Sequence, residues 1–186
     1  MNPIQWCIDQ HVNTNHKYDD YLPYEFHLRM ASRVAHQFKH LLSDSVDYFT
    51  GRREYDAGIE VTETPQSVCL LAVWGHDLIE DTRVSYNDVR SVLGKAAADI
   101  IYAVTNEKGR SRKERASEKY YEGIRNTPGA TFVKLCDRIA NVEYSKMVGS
   151  RMYEMYRKEN DGFCHSIGYT PYHPLVPMFE HLKGLF

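Results

Sequence analysis

An all-α fold is predicted for this 186-residue chain by three observations. Apolar residues recur at three- and four-residue spacing through most of it, the period of a helix with one buried face. Helix-start signals head several of these stretches: Asn2-Pro3, Thr64-Pro65, Ser85 with Asp88, and Ser111 with Glu114. Threonines, glycines and β-branched residues interrupt the helical period mainly in one segment, approximately 43–64, which reads as an inserted loop or small hairpin.

In chain order, Asn2 and Pro3 supply an N-cap and first helical position, and Ile4, Cys7, Ile8 and Val12 fall on one stripe. A second helix is expected from about Pro23 to Leu42, with Phe26, Met30, Val34, Phe38 and Leu41 on its apolar side. Thr64-Pro65 opens a third, SVCLLAVWGHDLIE, apolar nearly all round and therefore the expected central buried helix. Ser85 and Asp88 start a short fourth helix ending near Gly94, and a fifth runs from Lys95 to Val104. Ser111 and Glu114 form a capping box for a sixth, stopped by the turn Asn126-Thr127-Pro128-Gly129. A long helix follows from Ala130, then a Tyr- and Met-rich tail whose Met152 and Met155 read as core. A final amphipathic helix from about Pro174 groups Leu175, Met178, Phe179 and Leu182.

Composition narrows the function. Lys plus Arg number 23 against 25 Asp plus Glu, a formal charge of −2, which argues against a basic nucleic-acid coat. The longest apolar run, Val68 to Trp74, is far shorter than the roughly 18 residues of a membrane span. The opening MNPIQWCIDQ lacks the basic and apolar blocks of a signal peptide, so a cytoplasmic location is expected. Four cysteines at 7, 69, 136 and 164 make no CxxC pair and read as reduced thiols. Nine histidines without paired cysteines direct attention to oxygen and nitrogen metal ligands.

The chemistry concentrates in GHDLIEDT, residues 75–82, at the polar end of the most apolar helix. Glu80 lies one turn beyond His76 and Asp81 one turn beyond Asp77, so three carboxylates and an imidazole crowd one helix end. Acids there oppose the helix dipole and are costly beside a buried helix unless paired, hydrogen-bonded or bound to a cation. A solvated acidic helix end is the alternative. In VKLCDRIANVEY, Asp137 sits inside an apolar run with Asn141 one turn later, and it needs a partner. His27 borders the apolar stripe of the second helix, whereas His36 and His40 lie on its polar side and read as solvated.

His27, the doublet His76-Asp77 and then Asp137 together resemble the HD phosphohydrolase superfamily. HKYDDYLPYEFH (16–27), HDLIEDT (76–82), AVTNEK (103–108) and PGATFVKLCDRIANV (128–142) are similar to the RelA/SpoT-type alarmone hydrolase domain, especially its small stand-alone metazoan type. The specific part is HDxxEDT followed, 61 residues after His76, by the Asp of KLxDxxxN. The resemblance implies a single-domain HD-type helical bundle over 1–186. The segment of approximately 43–64, with six acidic residues against two basic ones, becomes an acidic insertion between the second and third helices, and approximately 147–186 a divergent C-terminal helical extension.

The resemblance further implies that His27, His76, Asp77 and Asp137 hold one divalent ion, usually Mn²⁺. Two imidazoles and two carboxylates suit Mn²⁺, Fe²⁺, Co²⁺ or Zn²⁺. Such an ion lowers the pKa of a coordinated water from 15.7 toward about 7. Glu80 and Asp81 match the pair that orients and deprotonates this water. Lys17 and Asn141 match positions that hold substrate phosphate and sugar, and Lys134 and Arg112 stand where the family often has cations. In KGRSRKERASEK, 108–119, six basic residues face two acidic ones, a local field that attracts polyphosphate, although a solvated helix face or loop accounts for it as well. Lys113 or Arg115 can serve in place of Arg112.

Two features depart from the pattern. His16 stands where these hydrolases usually carry Arg, and a neutral imidazole does not replace a permanently charged fork on pyrophosphate. The span from His27 to His76 is also longer than in compact members.

The resemblance thus implies a metal-dependent hydrolase that removes the 3′-pyrophosphate from (p)ppGpp or its adenosine counterpart. Two alternatives stay open: an HD phosphohydrolase of a nucleotide monophosphate, a dNTP or the NADPH 2′-phosphate, and a non-catalytic alarmone-binding regulator. The expected partner is a small nucleotide, without stable nucleic-acid or membrane binding, and the oligomeric state is open.

Overall fold

A computed structural model describes residues 2–42, 64–107 and 109–186, with the backbone alone at Arg112 and Lys113. The segment proposed as an insertion lies outside the described residues apart from Thr64.

Helix α1 (Pro3–Asn13) begins on Asn2, whose side chain accepts from the backbone N–H groups of Ile4 and Gln5. Its buried residues are Cys7, Ile8 and His11, while Val12 is 65% exposed. The expected stripe therefore turns by one position, and a histidine replaces a valine on the inner face.

A small hairpin follows that the helical period does not announce. Strand β1 (Lys17–Tyr18) pairs antiparallel with β2 (Leu22–Pro23), Tyr18 opposite Leu22. Asp19 and Asp20 turn the chain at φ 50° and 66°, a left-handed conformation that Asp tolerates better than most residues.

Helix α2 (Glu25–Phe38) is shorter than expected and tightens into a 3₁₀ turn, Lys39–Leu41. Helix α3 (Pro65–Gly75) opens with a Thr64/Ser67 capping box and stops before the doublet. At Asp77 the backbone leaves helical values (φ −103°, ψ 2°), and a one-turn helix, α4 (Leu78–Asp81), follows. The motif thus sits at a junction of two helices rather than inside one.

Helix α5 (Tyr86–Leu93) carries the Ser85/Asp88 capping box, and Gly94, at φ 85°, makes the tight turn into α6 (Lys95–Val104). The single helix expected from Ser111 is two, α7 (Arg112–Arg115) and α8 (Glu118–Asn126), because Ser117 caps a new start by accepting from the Tyr120 N–H. Helix α9 (Ala130–Met147) follows, then α10 (Arg151–Ser166) and α11 (Val176–Gly184).

Helix α9 is the hub. It packs against α2, α3, α6, α8, α10 and α11, and Phe132, Leu135 and Ile139 are fully buried along it. Each such side chain contributes about 1.5–3 kcal/mol through removal from water. Leu175, Met178, Phe179 and Leu182 are buried as their spacing predicts, and the four cysteines are free thiols. No helix among the described residues is long and apolar enough to cross a membrane.

Candidate metal centre and cavity

The packing of α2, the α3–α4 junction and α9 brings four sequence-distant polar side chains together. His27 and His76 are 1% and 3% exposed, and their Nε2 atoms lie 3.1 Å apart. Asp137 Oδ1 is 3.4 Å from His27 Nε2 and 3.7 Å from His76 Nε2. Asp77 Oδ2 is 2.8 Å from His76 Nε2 and 3.7 Å from His27 Nε2. Ligand-type atoms of His27, His76 and Asp137 all lie within 4.8 Å of one another, a group that can hold a metal ion.

Local structure aims these groups. His76 Nδ1 donates to the Val73 carbonyl at 2.7 Å, which leaves the Nε2 lone pair directed at the cluster. His27 lacks that support, since its Nδ1 has no partner, and it is held instead by the Tyr18 ring stacked on it at 4.9 Å. The Tyr24 hydroxyl donates to Asp77 Oδ2. Asn141 Nδ2 donates to Asp137 Oδ1 at 2.5 Å and to its carbonyl at 3.1 Å, while Asn141 Oδ1 accepts from Tyr18 at 2.8 Å. The amide expected to face substrate is thus engaged in supporting Asp137.

The electrostatics match a cation site. Burial works against ionised Asp137, yet Lys134, His27 and His76 hold its carboxyl well below the usual carboxylate range. Burial also opposes charge on Lys134, but Tyr120 and Asp137 keep its pKa above the ordinary lysine value. Its Nζ donates to Asp137 Oδ2 at 3.1 Å. Partial desolvation, followed by the negative charges of Asp77 and Glu80, pushes the Asp81 carboxyl up to about 7. The donor set, two imidazole nitrogens and two carboxylates, fits a divalent transition ion.

Glu80 and Asp81 diverge. Glu80 accepts from the backbone N–H of Asn106 at 3.2 Å and from its side-chain amide at 3.0 Å. Asp81 faces His16, with Nε2 3.9 Å from Oδ2.

A cavity of about 730 Å³ opens from the cluster. Its lining includes His27, Asp77, Glu80, Lys134, Asp137 and Asn141, together with Arg115, Tyr120, Arg138, Tyr156, Lys158 and Phe163. Of the basic stretch 108–119, Arg115 reaches this lining, and the Arg112 side chain lies outside the described residues. Lys17 is exposed on β1 and does not line the cavity. Arg138 is 9% exposed, with its guanidinium carbon 4.7 Å from the Tyr156 ring centre and 4.1 Å from that of Phe163. The C-terminal extension therefore builds one wall of the cavity. Sequence reasoning passed over Tyr18, Tyr24, Asn106 and this wall; Asn106 stands inside the matching AVTNEK segment, whereas the wall follows from how α10 packs.

Fold and cluster together define an all-α domain with a candidate divalent-metal centre. The chain is similar in sequence to SpoT-type alarmone hydrolases and shares the all-α fold of one of them. It is 23% identical over 142 residues to the guanosine-3′,5′-bis(diphosphate) 3′-pyrophosphohydrolase MESH1 of Danio rerio, covering 76% of this chain and 66% of that protein. The enzyme of the same name in Drosophila melanogaster is 29% identical over 84 residues, 45% of this chain and 46% of that one. The chain therefore matches less than two thirds of the length of these curated relatives. A solved structure of a metazoan orthologue of SpoT, described as hydrolysing ppGpp, superposes with a TM-score of 0.64 at 20% identity, over 100% of this chain and 96% of that one. No family model matches.

Proposed function

We propose that this chain is a metal-dependent phosphohydrolase that releases pyrophosphate from the 3′ position of guanosine or adenosine polyphosphates such as (p)ppGpp, acting in the cytoplasm. One observation carries the reading: two imidazoles and two carboxylates converge at one end of a cavity whose walls present Lys134, Arg115, Arg138 and Lys158. The names of the relatives support the same substrate class.

His27, His76, Asp77 and Asp137 would hold the ion, and Mn²⁺ is the ion we assign, with Fe²⁺, Co²⁺ or Zn²⁺ as chemically similar occupants. When bound, such an ion acidifies water and polarises a phosphoryl oxygen. The chain's own residues do the rest. Glu80, fixed by Asn106, and Asp81 orient the attacking water and take its proton. The water oxygen bonds to the phosphorus at the 3′ ester, the P–O3′ bond breaks, and O3′ takes up the proton that the carboxylate accepted from the water, which leaves the nucleoside with a 3′ hydroxyl and releases pyrophosphate. Lys134 offsets phosphate charge near the reacting bond, and Arg115, Arg112 and Lys17 are the further cations we assign to the phosphates. Asn141 secures Asp137 and, from the cavity lining, is the residue we assign to the ribose or phosphate.

The test is product analysis of purified, Mn²⁺-loaded protein with ppGpp, pppGpp, ppApp, NADPH, dNTPs and nucleotide monophosphates, with Asp77→Ala as control. Pyrophosphate released from ppGpp or ppApp, and absent in the control, is the expected result. Orthophosphate released from NADPH or a monophosphate would move the substrate and keep the centre.

A further inference from the structure

We propose that His11 and His16 form a tautomer-locked pair that presents the Nε2–H of His16 to Asp81, which makes His16 a positioning residue for that carboxylate. The proposal rests on the role given to Asp81 above.

The two Nδ1 atoms lie 3.0 Å apart, so one donates and the other accepts. If His16 donated, its bare Nε2 lone pair would face Asp81 at 3.9 Å, a repulsive contact whenever that acid is ionised. His11 would then carry its proton on Nε2, a buried atom with no partner. If His11 donates instead, both penalties disappear. His16 accepts at Nδ1 and carries its proton on Nε2, toward Asp81, and the unpartnered atom becomes a bare nitrogen rather than an orphaned N–H.

Packing holds the two rings in place. His11 is 1% exposed, and its ring lies on Tyr24 at 4.3 Å with planes 25° apart. The His16 ring lies on the same tyrosine at 4.0 Å and 22°. Burial, the largest influence, holds the His11 pKa down at about 4, and His16 is lowered for the same reason, so both rings are neutral near pH 7. Tyr24 itself donates to Asp77, so the platform beneath the pair is fixed to the candidate metal centre. The 3.9 Å approach from His16 to Asp81 is longer than a direct hydrogen bond and within the reach of an electrostatic contact.

The tautomers are read directly from two-bond ¹H–¹⁵N correlations of ¹⁵N-histidine-labelled protein near neutral pH, with and without Zn²⁺. We expect His11 as the Nδ1–H form and His16 as the Nε2–H form; the opposite pair of tautomers overturns the proposal. His11→Phe keeps a ring on Tyr24 and removes the donor, so His16 should lose its single tautomer. In Mn²⁺-loaded protein, His16→Leu should lower kcat on ppGpp about tenfold with KM changed less than about twofold, while His16→Gln, which keeps a donor, should stay within about threefold of wild type. Unchanged kcat in His16→Leu would also overturn the positioning role. Absence of ppGpp turnover in the wild-type protein would sink the functional reading alone, because the tautomers would still decide the pair.

Discussion

Asn106 grips Glu80 with both of its donors, the backbone N–H at 3.2 Å and the side-chain amide at 3.0 Å, across 26 residues of sequence. The amide stands just past the end of α6 and the carboxylate in α4, so the contact joins two helix ends in the cavity lining. Removing the side-chain half leaves the carboxylate held by the backbone N–H alone. Asn106→Ala is expected to lower kcat on ppGpp by about tenfold, the worth of a hydrogen bond to a charged group, with bound metal unchanged. Parallel turnover and elemental analysis check both parts, and a fall in metal content would show that Glu80 does more than orient water.

Asp137 faces both imidazoles, Lys134 and Asn141. Asp137→Ala should therefore abolish metal binding and turnover together, and chelation of the wild-type protein should do the same reversibly on Mn²⁺ return. A variant with full activity would remove this site assignment.

His11 makes acid stability a separate test. Its folded pKa, held down first by burial at about 4, lies below the roughly 6.5 of an exposed histidine. The unfolded chain thus takes up the proton first. Its stabilising contribution is complete above about pH 6.5 and is lost as pH falls through 4, on the order of 3 kcal/mol in all. Urea midpoints measured from pH 7 to 4 should fall, and His11→Phe should flatten that slope.

Gly75 closes α3 immediately before the doublet. A Cβ there would sit 2.6 Å from Ile101 Cδ1 and 3.1 Å from Leu93 Cδ1, both on buried side chains. Gly75→Ala is expected to cost about 1–3 kcal/mol through overpacking, read as a lower thermal midpoint. Because His76 is the next residue, metal affinity should fall with it.

The helices were largely legible because their starts are written locally: Asn2, Thr64, Ser85 and Ser111 each bond backbone groups within four residues. The gathering of His27, His76, Asp77 and Asp137 followed from a recognisable pattern. The break at Asp77 was not legible, since the run through GHDLIE keeps helical composition and only packing around α3 and α4 reveals the kink. The hairpin at 17–23 depends on two aspartates in left-handed backbone, and the exchange of Val12 for His11 on the inner face depends on Tyr24 offering a ring to stack against. The cavity wall from α10 depends on tertiary packing alone, and its residues carry no motif.

The candidate ligands come from α2, the α3–α4 junction and α9, segments that also pair with one another in the core. An ion held there ties residues 27, 76 and 137 into two closed loops of chain, so uptake of the ion and survival of the fold become one equilibrium. At a free ion concentration a hundred times its dissociation constant the folded state gains about 2.7 kcal/mol. The cell's supply of free divalent metal would then govern how long each molecule stays folded as well as how fast it works, and scarcity would thin the population before it slowed the survivors.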